Sequence, residues 1–185
     1  SKLEKVITEV RDSLRRSRKM AEDSIRRSEE LLKELEDLLK KVRDTLRKIL
    51  KDIEDLARKG LPKEELTRIV DELEKRLKRL LDEVDKALKR LVKENERLVE
   101  EVREIVERDK KTLDKLLEDI ERLDLPKELV DDVRREVEKV VEDTRRVLEE
   151  VERTHKESID RLRKLVERVR REIEEIARRV KETRD

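Results

Sequence analysis

Apolar residues return every three or four positions along almost the whole chain. One stripe runs through Leu3, Ile7, Val10, Leu14, Ala21, Leu31, Leu35, Leu38, Val42, Ile49, Ile53 and Leu56. A second includes Leu66, Val70, Leu77, Val84, Leu91, Leu98, Val102, Ile105, Leu116 and Ile120, and a third Val130, Val137, Val140, Val147, Val151, Leu162, Leu165, Val169, Ile173 and Val180. Alternating strides of three and four place a stripe on one face of an α-helix. The mean stride falls between ~3.5 and ~3.6 residues, which predicts helices that are nearly straight or wound into a gentle left-handed coiled coil.

Only two places stop the pattern. At Arg58-Lys59-Gly60-Leu61-Pro62-Lys63-Glu64-Glu65 the cations suit a helix C-terminus, Gly60 suits the left-handed residue beyond it, and Pro62 with two glutamates suits the next helix start. Leu123-Asp124-Leu125-Pro126-Lys127-Glu128 repeats the Leu-Pro-Lys-Glu phrase. Helices are therefore expected over about 2–59, 62–122 and 126–184, each ~85–90 Å long at ~1.5 Å per residue. Connections this short force neighbours to run antiparallel. The predicted fold is all-α, a long antiparallel up-down-up three-helix bundle, with residues 1–185 as a single domain. Flanking positions such as Val6, Met20, Leu32, Leu39 and Leu46 widen the stripe enough to close three helices, while the back faces are Lys, Arg, Glu and Asp. A monomer is expected.

Composition narrows the function classes. Charged residues make up 57% of the chain and aromatics 0%, with one Gly, two Pro and no Cys. Such charge with 34% apolar residues would suit a disordered chain if those residues were scattered, but they are periodic. Lys and Arg number 53 against 52 Asp and Glu, interleaved, so no basic stripe awaits a nucleic acid and no aromatic ring is present to stack on bases. Ser13-Leu14-Arg15-Arg16-Ser17-Arg18-Lys19 is locally basic, but Glu22 and Asp23 follow. No apolar run approaches the ~18 residues of a membrane span, and SKLEKVITEV lacks the apolar block of a signal peptide. A soluble protein, cytoplasmic on recombinant expression, is expected, with no cofactor, metal or nucleic acid.

The stripes themselves contain polar residues. Ser17, Ser24 and Ser28 interrupt the first, with Ser13 beside them; Asn95, Asp109 and Thr112 the second; Thr144, His155 and Ser158 the third, with Thr154 adjacent. Asn95 and His155 are the lone residues of their types. Folding the chain at residues 61 and 125 brings Ser28 level with Asn95, and Asn95 level with His155. Two polar layers are expected: Ser24, Ser28, Asn95, His155 and Ser158 in one, and Ser13, Ser17, Asp109, Thr112 and Thr144 in the other. A buried polar group left unpaired costs ~1–3 kcal/mol, so the members of each layer should bond one another, and a shifted alignment should be penalised.

With these residues in view, the chain resembles computationally designed helical bundles built around buried hydrogen-bond networks. The likeness covers the whole length: three equal helices, Leu-Pro helix starts, Glu/Lys/Arg surfaces, no aromatics, and Ser, Asn and His held to interior layers. Asp109 departs from it, since such networks use neutral groups. The resemblance implies a designed structural scaffold, a rigid helical rod with no natural biochemical function. An alternative is an interaction module, a three-helix subunit that takes a partner helix or self-associates. Lipid-binding bundles carry broader apolar faces with aromatics, and spectrin-like repeats carry tryptophans; neither feature is present.

No catalytic site is expected. Ser, His and Asp all occur, but Asp109 stands ~21 Å along the helix from Asn95, and a straight bundle offers neither cleft nor free backbone N–H groups. One His among Ser and Asn is poor metal-ligand chemistry. His155 reads as a hydrogen-bonded core histidine, and burial should make its protonation oppose folding.

Overall fold

The computed structural model describes residues 2–185. It consists of three helices, α1 (Lys2–Lys59), α2 (Lys63–Glu121) and α3 (Lys127–Arg184). Their limits lie within one residue of those the punctuation predicts.

The helix ends follow from local chemistry. Gly60 takes φ 58°, the left-handed conformation that L side chains resist. A Cβ there would meet nothing within 4 Å, so the backbone angle alone, and no crowding, demands glycine. Pro62 and Pro126 stand just ahead of the first helical residue. The Pro62 carbonyl accepts from the Leu66 N–H at 3.0 Å, and the Pro126 carbonyl accepts from Leu129 and Val130 at 3.1 and 3.2 Å. Each proline thus closes the first turn with its carbonyl, at a position where its missing N–H breaks no helical bond. α2 ends without a glycine. Leu123 N–H bonds back to Ile120 at 3.1 Å, a tightened last turn, and Leu125 N–H then bonds to Leu123 at 2.9 Å.

The chain divides into two compact units, each built from a stretch of all three helices. The first comprises residues up to Glu29 with Glu94–Glu157; the second comprises Glu30–Lys93 with Ser158–Asp185. In the first unit Val6, Val10, Leu113, Ile120, Val133, Val137 and Val140 form one apolar cluster. Ala21, Val102, Val106 and Val151 form another. In the second unit Leu31, Leu35, Leu39, Ile49, Leu77, Leu91, Leu162 and Ile173 are fully buried, with Val70, Val84, Val169 and Val180 beside them in the interior.

The stripe repeats every five turns at ~3.6 residues per turn. Val6, Ser24 and Val42 are buried at equivalent places on α1, as are Val10, Ser28 and Leu46, and Ser13, Leu31 and Ile49. A stride of 3.6 keeps a stripe on one side of a straight helix, so no supercoil is required. Tracing at the shorter stride drifts, and this corrects the expected stripe at several places. Leu39, Val106 and Val166 are buried where Leu38, Ile105 and Leu165 were expected, and the latter three are half-buried.

Ion pairs keep the same beat. Arg134 pairs with Glu121 and Arg103 with Glu152 in the first unit, and Arg170 pairs with Asp85 in the second. Within the first unit the two pairs lie five turns apart on both helices, as antiparallel neighbours require. α1 and α3 run parallel: Arg43 meets Glu172 in the second unit, and Ser24 meets His155 in the first. The ion pairs among these are partly solvated, so each is worth at most about 1 kcal/mol.

Candidate functional site

Among the described residues seven polar side chains are buried, and they belong to the first unit: Ser13, Ser17, Ser24, Ser28, Asn95, Thr144 and His155. Four of them form a connected chain. The Ser28 hydroxyl donates to Asn95 Oδ1 at 2.6 Å. Asn95 Oδ1 also lies 2.9 Å from His155 Nδ1, and His155 Nε2 lies 2.9 Å from Ser24 Oγ. All three helices contribute, with both serines from α1.

The bonding pattern selects the imidazole tautomer. Asn95 Oδ1 is an acceptor only, so His155 Nδ1 carries the hydrogen and donates. In the neutral ring Nε2 is then the acceptor, and the Ser24 hydroxyl donates to it. Burial holds the His155 pKa below its ordinary value of 6.5, because no charge nearby offsets the loss of solvent. The neutral ring is the form that this arrangement accommodates.

Ser24, His155 and Asn95 have the connectivity of a nucleophile, a base and an orienting group. Their surroundings deny them that chemistry. They are 5%, 1% and 0% exposed, so a substrate has no approach to the hydroxyl. Mid-helix N–H groups are already spent on carbonyls four residues back, which leaves no donors for an oxyanion.

The remaining members of the expected layers are placed differently. Ser158 lies in the second unit, half-buried, and its hydroxyl has no hydrogen-bond partner. Ser13 and Ser17 are buried, yet their hydroxyls also lack partners. Asp109 is half-buried, with a buried Oδ2 that accepts no bond. Thr144 turns its hydroxyl back to the Val140 carbonyl of its own helix at 2.8 Å. Thr112 is exposed and bonds to the Arg108 carbonyl at 3.0 Å, while Leu113 takes the interior position. The second layer is therefore not a network, which corrects the expectation of mutual bonding. The physical reason is reach. Packed helix axes stand 8–10 Å apart, and short hydroxyl side chains do not span that gap without a longer partner. Asn95 and His155 supply the length in the first layer; Ser, Thr and an off-centre Asp do not in the second.

The five-turn repeat separates these cases within the sequence. Five turns before Thr112 stands half-buried Glu94, whereas five turns before Asp109 stands buried Leu91. Among the described residues no three His, Cys, Asp or Glu side chains converge as a metal site requires, and no helix is long and apolar enough to cross a membrane.

No protein-family model and no curated protein matches the chain. Among solved structures it is similar to one described as a computationally designed three helix bundle, at a TM-score of 0.73, with 17% identity over 98% of this chain and 91% of that one. At that identity the likeness is one of fold: this chain is a three-helix bundle whose interior carries hydrogen-bonded polar side chains.

Proposed function

We propose that the chain is a computationally designed structural scaffold, a self-contained monomeric bundle with no natural biochemical function and no catalytic activity, in which the Ser24–His155–Asn95–Ser28 chain specifies how the helices align. One observation carries this reading. Each network residue occupies a stripe position that is apolar five turns away on either side. Ser24 stands between Val6 and Val42, Ser28 between Val10 and Leu46, Asn95 between Leu77 and Leu113, and His155 between Val137 and Ile173. A core of repeating Leu, Val and Ile buries almost as well when a helix slips or pairs with another chain. Misalignment of a bonded Asn and His strands their polar atoms, at ~1–3 kcal/mol each.

The test replaces the network by its five-turn equivalents in one variant, Ser24→Val, Ser28→Leu, Asn95→Leu and His155→Ile. Exchanging a satisfied polar cluster for apolar residues is close to neutral or stabilising. The variant should thus stay as stable while losing uniqueness, seen as mixed masses in light scattering and doubled amide resonances. A strictly monomeric variant with one sharp set of resonances would refute the alignment role. The mass of the unmodified chain tests the scaffold reading separately: a monomer at micromolar concentration is expected, and a stable oligomer would favour the interaction module.

A further inference from the structure

A cleft of about 160 Å³ opens in the first unit between α2 and α3. It lies where the stripes carry smaller residues than they do five turns away. On α2, Val106 and Asp109 stand where the repeat elsewhere places Leu88 and Leu91. On α3, Val141 and Thr144 stand where it places Ile159 and Leu162. Leu113 and Leu148, larger than their counterparts Asn95 and Val166, complete the apolar walls. Glu107 and Lys110 of α2 and Arg145 of α3 line the rim and are exposed, so their stems extend the walls while their charged heads stay in water. The interior polar atoms offer little to a ligand. Asp109 Oδ2 is closed to solvent, and the Thr144 hydroxyl is committed to the Val140 carbonyl at 2.8 Å. Almost all of the surface within the cleft is apolar.

We propose that this cleft is a binding site for small neutral hydrocarbons of about six carbons. Engineered apolar cavities of about 150 Å³ hold benzene, and the volume here matches. Water in such a space finds few partners, so a hydrocarbon displaces it favourably. A charged or strongly polar ligand exchanges its hydration for walls that cannot bond it. The residues of the Ser24–His155–Asn95–Ser28 chain do not line the cleft, so this capacity is independent of the alignment role.

The experiment is a titration of the intact protein with benzene, followed by methyl chemical shifts, with 1,4-dioxane as a polar ring of similar size. The chain has no aromatic residue, so ring-current shifts report the ligand alone. They should appear at Val106, Leu113, Val141 and Leu148 and saturate in the millimolar range. Dioxane should bind at least about tenfold more weakly, because burial leaves an ether oxygen unpaired. Val106→Leu combined with Thr144→Leu installs the residues found five turns away, and should fill the cleft and abolish the shifts. Shifts spread over the leucine methyls of both units, equal affinity for dioxane, or unchanged affinity in the filled variant would each overturn the proposal. Should the filled variant not fold, the shift map and the comparison of the two rings on the unmodified chain decide alone.

Discussion

The two units are built from stretches of the same three helices, yet they fill their interiors in opposite ways. The first buries seven polar residues among valines, an alanine and a few larger side chains. The second buries no polar residue, and Leu and Ile account for most of its interior. A leucine-rich interior contributes burial and tight contact but distinguishes poorly between alignments, because one leucine fits where another did. A hydrogen-bonded cluster adds little net stability, since its bonds replace bonds to water, but it is intolerant of displacement. Under the proposed function, the second unit supplies stability and the first supplies definition.

The comparison breaks most visibly at a buried leucine. Leu35, 0% exposed in the second unit, should cost about 2–5 kcal/mol when changed to Ala, measured by denaturant unfolding. Hydrogen exchange should show the loss first in amides of 30–93 and 158–185. Equal loss of protection in both units would mean that they unfold together and that the contrast has no energetic content.

Within the first unit, Asn95→Leu alone should destabilise by about 1–3 kcal/mol, because it strands the His155 Nδ1–H and the Ser28 hydroxyl. The fourfold apolar variant should recover that loss. A stabilising Asn95→Leu would show that the bonds contribute nothing and that apolar area alone decides.

Acidification should separate the polar unit from the apolar one. The His155 pKa is lowered by burial in the folded chain, so the unfolded chain binds the proton more readily. The stability that the neutral ring contributes is complete above the unfolded value of 6.5. It declines as pH falls below that value, by at most about 1.4 kcal/mol per pH unit. Urea titrations between pH 7.5 and 5.5 should reveal the decline, and the His155→Ile change of the fourfold variant should remove it. A decline that persists without the imidazole would assign it to carboxylates instead.

The smallest effect is expected at the surface. Arg170→Ala in the second unit and Arg103→Ala in the first each remove a partly solvated α2–α3 ion pair. Each should cost less than about 1 kcal/mol, and less still at high salt. A larger loss at Arg103 would show that the polar unit depends on its outer charges as well as its interior bonds.

Much of this molecule is legible in the order of its residues. Helix number and limits follow from periodicity and from Gly60, Pro62 and Pro126, because the backbone preferences of these residues act within a turn or two. The meeting of Ser28, Asn95 and His155 follows from equal arm lengths about two short turns. Tertiary structure decided the rest. Over nearly sixty residues per helix, a small error in stride rotates a position off the stripe, which is why Thr112 faces solvent and Leu113 does not. Whether Ser13 and Ser17 find partners depends on the distance between helices, a quantity that no single helix contains. The same holds for the proton on His155, which only its two neighbours from other helices locate, and for the cleft at Asp109, which exists only where α2 and α3 face each other.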